Sequence, residues 1–147
     1  MKSLFFFFSL LSLSQAATLA HRYSFDTDAT DSAGGNTGIL EGGATISSGK
    51  LTLRGLGSST AANRMTFTNP VDIGGNFGTT GVTIETWYTD TGTGTWGKLF
   101  QFGNNAAGQE LAFTHTRGNG QQTGVDRDGA KLLGEQVNQN EAHHLVM

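Results

Sequence analysis

Cysteine is absent from this chain, proline occurs once, and only 14% of the residues are charged. Without cysteine, the protein has no disulfides and no thiol nucleophile, so packing alone must stabilise it. The residues typical of coiled coils, namely Ala, Glu, Lys and Leu at helical spacing, are also scarce, which excludes that class. A net charge of −3 argues against a nucleic-acid-binding protein, because such a protein needs a basic face to neutralise phosphates.

Glycine, by contrast, is abundant. There are 22 glycines among 147 residues, and threonine and asparagine are frequent as well. This composition favours short β-strands joined by tight turns. A hydrophobic content of 36% can build a core, so a disordered chain is excluded, and the length predicts a single domain.

The first residues have the pattern of a secretory signal. One lysine precedes an apolar run of about ten residues, and small residues follow it. The run is too short to cross a bilayer, which takes about 20 apolar residues. We therefore predict a signal peptide over residues 1–16, a mature domain over residues 17–147, and a secreted or cell-surface protein without a transmembrane span. The predicted cleavage follows Ala16, with Ala17 and Ala20 as alternative sites.

Alternation of apolar and polar residues recurs along the mature chain, with turn residues between the alternating segments. The strongest segment is Val82–Asp90, in which Thr86 and Tyr88 face one way and Glu85 and Trp87 face the other. The other predicted strands are Ala20–Phe25, Gly38–Leu40, Ala44–Leu53 with a break at Ser47-Ser48-Gly49, Asn63–Thr68, Lys98–Phe102, Glu110–His115, Thr123–Arg127 and Lys131–Val137.

Turn residues between the segments and the absence of helical periodicity also favour an all-β fold. Asp128-Gly129 lies between two strand-like runs and predicts a tight hairpin. The sequence therefore predicts an antiparallel all-β sandwich. Glu141–Met147 reads as a strand that has only begun, and a sheet missing its last strands leaves unpaired edges. We therefore predict that the sequence is a fragment of a longer domain.

Six stretches, in this order, carry a resemblance: Leu19–Asp26, Asp31–Leu40, Gly42–Thr45, Val82–Tyr88, Lys98–Asn104 and His143–Val146. Together they resemble the concanavalin A-like, laminin G-like β-sandwich of bacterial secreted proteins. The chain departs from that family at Ala142, because a tryptophan usually precedes the double histidine. The resemblance implies a jelly-roll sandwich with further strands beyond Met147, and a role in recognition or adhesion.

Three carboxylates, Asp26, Asp28 and Asp31, lie close together in a loop that also carries Asn36. Calcium takes about six to eight oxygen ligands, which a loop can supply. Laminin G-like domains frequently bind calcium through loop carboxylates and carbonyls, so the resemblance adds to this pattern. We predict a Ca²⁺ site formed by Asp26, Asp31 and Asn36. The alternative is that the aspartates form Asx turns and accept hydrogen bonds from their own backbone.

The candidate catalytic patterns fail on spacing. Glu85 and Asp90 are five positions apart on one strand, so they face opposite sides, and the Glu-x-Asp-x-x-Glu strand of related sandwich glucanases is not matched. The G-x-G-x-x-G run over Gly92–Gly97 joins two predicted strands, whereas a dinucleotide site opens a helix. Adjacent His143 and His144 also face opposite sides, so they do not readily share a metal ion. We therefore predict that the chain is not an enzyme.

Aromatic side chains are the candidates for carbohydrate binding, because their rings stack on the apolar faces of pyranose sugars. Trp87 and Tyr88 lie on the strongest predicted strand, where burial in the core is the default for a large aromatic residue. Trp96 lies in a glycine-rich loop, and it is therefore the predicted ligand-binding residue.

These features together predict a secreted, non-catalytic recognition or adhesion module. Its predicted partner is a carbohydrate or an extracellular protein, bound through the loops of the sandwich. Two alternatives stay open. The chain could be an accessory domain of a larger secreted glycoside hydrolase, or a structural protein of the cell envelope, as its low charge and its Gly, Thr and Asn content suggest.

Overall fold

The computed structural model describes residues 17–53, 63–71, 81–91, 97–103, 110–117, 122–127 and 130–147. Within these ranges the chain forms ten strands, every strand pair is antiparallel, and no residue is helical. The predicted antiparallel all-β class is therefore confirmed. In this part of the chain, no helix of the length and apolarity needed to cross a membrane is present. The predicted signal peptide over residues 1–16 lies outside the described residues.

The strands are short and are distributed over four sheets. In chain order they are β1 (Gly38–Glu41), β2 (Thr45–Ser47), β3 (Lys50–Thr52), β4 (Arg64–Phe67), β5 (Glu85–Thr89), β6 (Gly97–Gly103), β7 (Glu110–Arg117), β8 (Gln122–Arg127), β9 (Ala130–Gln136) and β10 (Ala142–Val146).

The N-terminal region contains two small sheets. Strands β2 and β3 form a hairpin through Ser48 and Gly49, whose φ angles of 52° and 72° are those of a two-residue type I′ turn. Strands β1 and β4 form the second sheet. The predicted strand Ala20–Phe25 is wrong except for a single bridge between Tyr23 and Asp31, because Phe25 adopts a left-handed φ of 58° and turns the chain.

The largest sheet is a meander in which β6, β7, β8 and β9 are neighbours in sequence and in space. Arg127 at the end of β8 pairs with Ala130 at the start of β9, as expected for two strands joined by a short connection. The predicted turn residues Asp128-Gly129 themselves lie outside the described residues. Strand β7 is central in packing, because Leu111, Ala112 and Phe113 are all buried.

The last sheet joins two strands that are distant in the sequence. Strand β10 pairs with β5 over five residue pairs, and the ladder continues through reciprocal backbone hydrogen bonds between Ile84 and Met147 of 2.7 and 2.9 Å. The strand predicted over Val82–Asp90 is thus present, but it is shortened to Glu85–Thr89. The strand predicted to begin in Glu141–Met147 is present as β10.

The β5–β10 sheet packs on the meander through aromatic rings. The Tyr88 ring lies 6.0 Å from that of Phe113 and 6.3 Å from that of His115 on β7. Within the meander, Phe113 also stacks on Phe100 of the neighbouring strand, with the ring centroids 6.1 Å apart. Side chains of two antiparallel layers therefore meet between the sheets, as in a β-sandwich. The jelly-roll connectivity stays a prediction.

Candidate functional site

The outward face of the β5–β10 sheet carries the only exposed Phe, Tyr or Trp side chain among the described residues. Trp87 is 67% exposed, although it lies in the middle of a paired strand. Glu85 on β5 and His144 and Val146 on β10 lie on the same face, since residues that are paired or two apart share a side. We call these four residues the Trp87 face.

The side chains of the Trp87 face hold one another in position. His144 lies directly opposite Trp87, and the two rings stack with their centroids 4.2 Å apart and their planes 10° from parallel. The His144 ring N–H donates a hydrogen bond of 2.8 Å to Glu85 Oε1. The imidazole is therefore fixed between an indole and a carboxylate. The indole in turn keeps one orientation while most of its surface stays accessible.

The burial expected for Trp87 is wrong, and the position of Tyr88 explains why. Tyr88 packs against Phe113 and His115 between the two sheets, and burial, followed by the charge of Asp90, raises its pKa. Because successive side chains on a strand point to opposite faces, the inward position of Tyr88 turns Trp87 outward.

Other polar side chains lie on the inward side of the β5–β10 sheet or face it from β7. Asp90 Oδ2 lies 3.3 Å from His115 Nδ1, and the His143 ring N–H donates a hydrogen bond of 2.8 Å to the carbonyl of Asn138. The rings of Tyr88 and His143 are 5.4 Å apart. These contacts make the two inward histidines part of the packing between the layers.

Alternation also separates two pairs of residues that are close in sequence. Glu85 contacts His144 on the outward face, whereas Asp90 is buried on the inward side. The carboxylates of Glu85 and Asp90 therefore lie on opposite faces of the sheet, which is the arrangement predicted from their spacing. His143 and His144 likewise point to opposite faces, so they do not share a metal ion.

The Asp31 carboxylate is the centre of a different arrangement, in the loop before β1. Its side chain is fully buried, and both oxygens accept hydrogen bonds of 2.6 to 3.1 Å. The five donors are the ring of His21 and the backbone N–H groups of Arg22, Ala33, Gly34 and Asn36. Burial alone would raise the pKa of Asp31, but these hydrogen bonds hold that pKa well below its usual range.

Of the other two residues of the predicted calcium site, Asn36 already has hydrogen-bond partners and Asp26 is exposed. The Asn36 side chain accepts a hydrogen bond from the backbone N–H of Asn69 and donates one to its carbonyl, so it ties the loop to the end of β4. Asp26 is exposed, and Asp28 accepts the backbone N–H of Thr30 in an Asx turn.

The geometry therefore favours the alternative stated with the calcium prediction. Within the described ranges, no three His, Asp or Glu side chains are close enough together to hold a metal ion. Calcium at Asp26, Asp31 and Asn36 stays a prediction.

Trp96, the residue predicted to bind ligand, lies outside the described residues. Of the G-x-G-x-x-G run, only Gly97 is among the described residues, and it is the first residue of β6. A dinucleotide site would have a helix at that point.

Comparison of the chain with protein-family models, with curated proteins and with solved structures gave no match. The resemblance to the laminin G-like family therefore stays a prediction from the sequence. The Trp87 face was missed at the sequence level. Alternation did place Glu85 and Trp87 on one face, but nothing in the local pattern indicated that His144 pairs with them.

Proposed function

We propose that the chain is a non-catalytic, extracellular recognition module that binds carbohydrate on the Trp87 face. The single observation that carries the proposal is an indole that is 67% exposed yet held in one orientation by His144. Because the indole is already held in one orientation, a ligand that stacks on it has little side-chain ordering to overcome.

Carbohydrate suits this surface on chemical grounds. One side of a pyranose ring presents C–H groups, and these pack on the electron-rich face of an indole. Sugar hydroxyls require hydrogen-bonding partners at the edge of the ring. The Glu85 carboxylate offers acceptors, and the His144 imidazole offers a ring nitrogen.

The Trp87 face is open rather than a deep pocket, so the expected affinity is modest. One aromatic platform with two polar side chains buries little of a sugar chain, and a dissociation constant on the order of 1 mM is expected for a single site.

The proposal is tested with the full chain and a panel of soluble oligosaccharides, using tryptophan fluorescence and isothermal calorimetry. The chain has two tryptophans, so Trp87→Ala and Trp96→Ala each leave one reporter. We expect Trp87→Ala to abolish binding, Trp96→Ala to retain it, and Glu85→Gln to weaken it. Binding that is lost only in Trp96→Ala would place the site in the loop predicted from the sequence. A panel with no binder would contradict carbohydrate recognition.

A second candidate function is the binding of an extracellular protein. It is favoured by Val146, which is 57% exposed next to Glu85 and extends the apolar surface beyond a single ring. Tryptophan is also frequent at the centres of protein interfaces. Val146→Thr separates the two candidates, because it removes an apolar contact from a protein interface without placing a charge opposite Glu85, so stacking of a sugar on Trp87 should be retained.

A further inference from the structure

The β5–β10 sheet accounts for the whole formal net charge of the chain. The two segments that form it, residues 81–91 and 137–147, contain Glu85, Asp90 and Glu141 but no lysine or arginine. Of the 12 acidic residues of the chain, the nine outside these segments equal the nine lysines and arginines in number. Asp90 is buried on the inward side, whereas Glu85 and Glu141 are exposed. The surface around Trp87 therefore has a negative electrostatic potential.

Glu85 is the carboxylate of the Trp87 face itself. Its side chain is 52% exposed, and Oε1 accepts the hydrogen bond of 2.8 Å from the His144 ring. Oε2 forms no hydrogen bond with a described residue, so one carboxylate oxygen is available to a ligand. The one group of this face that can become a cation is the His144 imidazole, and its Nε2 already contacts Glu85. An anionic ligand therefore finds no lysine or arginine among the residues of the face.

Uncharged and acidic sugars interact differently with such a carboxylate. A sugar hydroxyl donates a charge-assisted hydrogen bond to a carboxylate oxygen, and this bond is stronger than one between two neutral groups. A uronate or a sulfate group offers only acceptor oxygens and carries the same sign of charge as Glu85, so the two repel each other. A group that repels the wrong partner provides specificity even where it adds little affinity for the right one.

We propose that the Trp87 face selects uncharged glycans and excludes acidic ones, and that Glu85 is the residue that determines this specificity. The inference rests on the carbohydrate binding proposed above. Trp87 provides the stacking surface for both classes, because hexoses and uronic acids alike present C–H groups on one side of the ring. Discrimination therefore depends on Glu85, and it should weaken with salt because exposed charges are screened.

Matched pairs of oligosaccharides isolate the effect of charge. Hexamers of β-1,4-linked mannose, β-1,4-linked glucose and α-1,4-linked glucose are each compared with their C6-oxidised form, in which every primary alcohol is a carboxylate. Binding to the full chain is followed at pH 8, where an imidazole is ordinarily neutral, by NMR of the Trp87 indole N–H. Trp96→Ala identifies that resonance, because the chain has two tryptophans. For each neutral hexamer that binds, we expect its oxidised form to bind about tenfold more weakly at low salt, with a smaller difference at high salt.

Glu85→Gln keeps the size of the side chain and an acceptor oxygen but removes the charge. We expect this variant to bind the oxidised hexamers more tightly than wild type does and the neutral hexamers no more tightly, so that most of the discrimination is lost. Glu135→Gln is the matched control, because it removes one charge from an exposed side chain on β9, in the other sheet. It should discriminate as wild type does, and circular dichroism checks that both variants retain their β-structure.

The outcomes separate this inference from the proposed function. Oxidised hexamers that bind wild type as tightly as the neutral ones would overturn charge selection while leaving carbohydrate binding in place. A Glu85→Gln variant that discriminates as strongly as wild type would overturn the role of Glu85 in the same way. If neither the neutral nor the oxidised series binds, carbohydrate recognition itself is contradicted, and selection by charge is contradicted with it.

Discussion

Replacing Asp31 by alanine removes the acceptor on which the loop before β1 is built. Four backbone N–H groups and the His21 ring lose their partner, and the N–H of Asn36 is buried away from water. At a net value of about 1 kcal/mol for each backbone bond, the free energy of unfolding should fall by about 4 kcal/mol. Since domains of this size are stable by only about 5–15 kcal/mol, the loss is a large fraction of the total.

Thermal and urea unfolding measure this effect, with a fall in melting temperature of about 15 °C expected for a chain of this length. Asp31→Asn keeps a carbonyl oxygen for Arg22, Ala33 and Gly34 but turns an N–H₂ group towards the N–H of Asn36, so its loss should be about half as large. Asp28→Ala is the control, because it removes one exposed Asx-turn bond and should have a much smaller effect. If Asp31→Ala were no less stable than Asp28→Ala, the assignment of Asp31 as the organiser of this loop would be refuted.

The same melts, repeated with calcium and with a chelator, test the calcium prediction. Both Asp31 oxygens already face N–H donors, and protons occupy the positions that a cation would need. We therefore expect equal midpoints. A calcium concentration 100 times the dissociation constant would add about 2.7 kcal/mol, so a midpoint raised in wild type but not in Asp31→Asn would support the predicted site at Asp26, Asp31 and Asn36.

Further predictions concern pH and close packing. Because the pKa of Asp31 is depressed in the folded state, its contribution to stability is complete above the unfolded value of about 3.9 and is lost as pH falls below it. The free energy of unfolding, measured in urea between pH 5 and pH 2, should therefore fall more steeply in wild type than in Asp31→Asn, where the lowered pKa of Asp28 still contributes. The raised pKa of Tyr88 has the opposite sign, so stability should fall as pH rises above about 10, and less steeply in Tyr88→Phe. A Cβ on Gly97 would collide with the His115 ring, and Gly97→Ala should cost about 1–3 kcal/mol in urea unfolding. Gly81→Ala, where a Cβ meets nothing within 4 Å, should be neutral, and equal losses for both variants would contradict the packing argument.

Local sequence patterns were sufficient for elements that depend on neighbouring residues. The hairpin at Asp128-Gly129 was predicted because the turn and both of its strands lie in one short segment. The pairing of β5 with β10 was not predicted, since an alternating pattern indicates a strand but not the strand with which it pairs. The same limit applies to Trp87. The alternating pattern shows that Trp87 and Tyr88 face opposite sides of the strand. It does not show which of the two faces inward, because that depends on the contact between Tyr88 and Phe113 in the other sheet.

The site predictions were limited by a related effect. Asp26, Asp28 and Asp31 are equivalent in composition, and a loop of carboxylates resembles a cation site in sequence. Only the folded backbone distinguishes them. It brings four N–H groups to Asp31 and one to Asp28, and it leaves Asp26 exposed. The backbone path of a loop does not follow from its residue types alone.

The long separation between the strands of the β5–β10 sheet has a consequence for biosynthesis. Glu85 and His144 are 59 positions apart, so at a synthesis rate of about 5–20 residues per second, roughly 3–12 s pass between their additions to the chain. The meander consists of adjacent hairpins and can form within that interval, because local contacts fold fastest. Trp87 therefore acquires its stacking partner only when β10 has been synthesised. Stacking of Trp87 on His144 thus follows formation of the meander, and a ribosome-bound nascent chain that lacks β10 should have the meander but no ordered Trp87 indole.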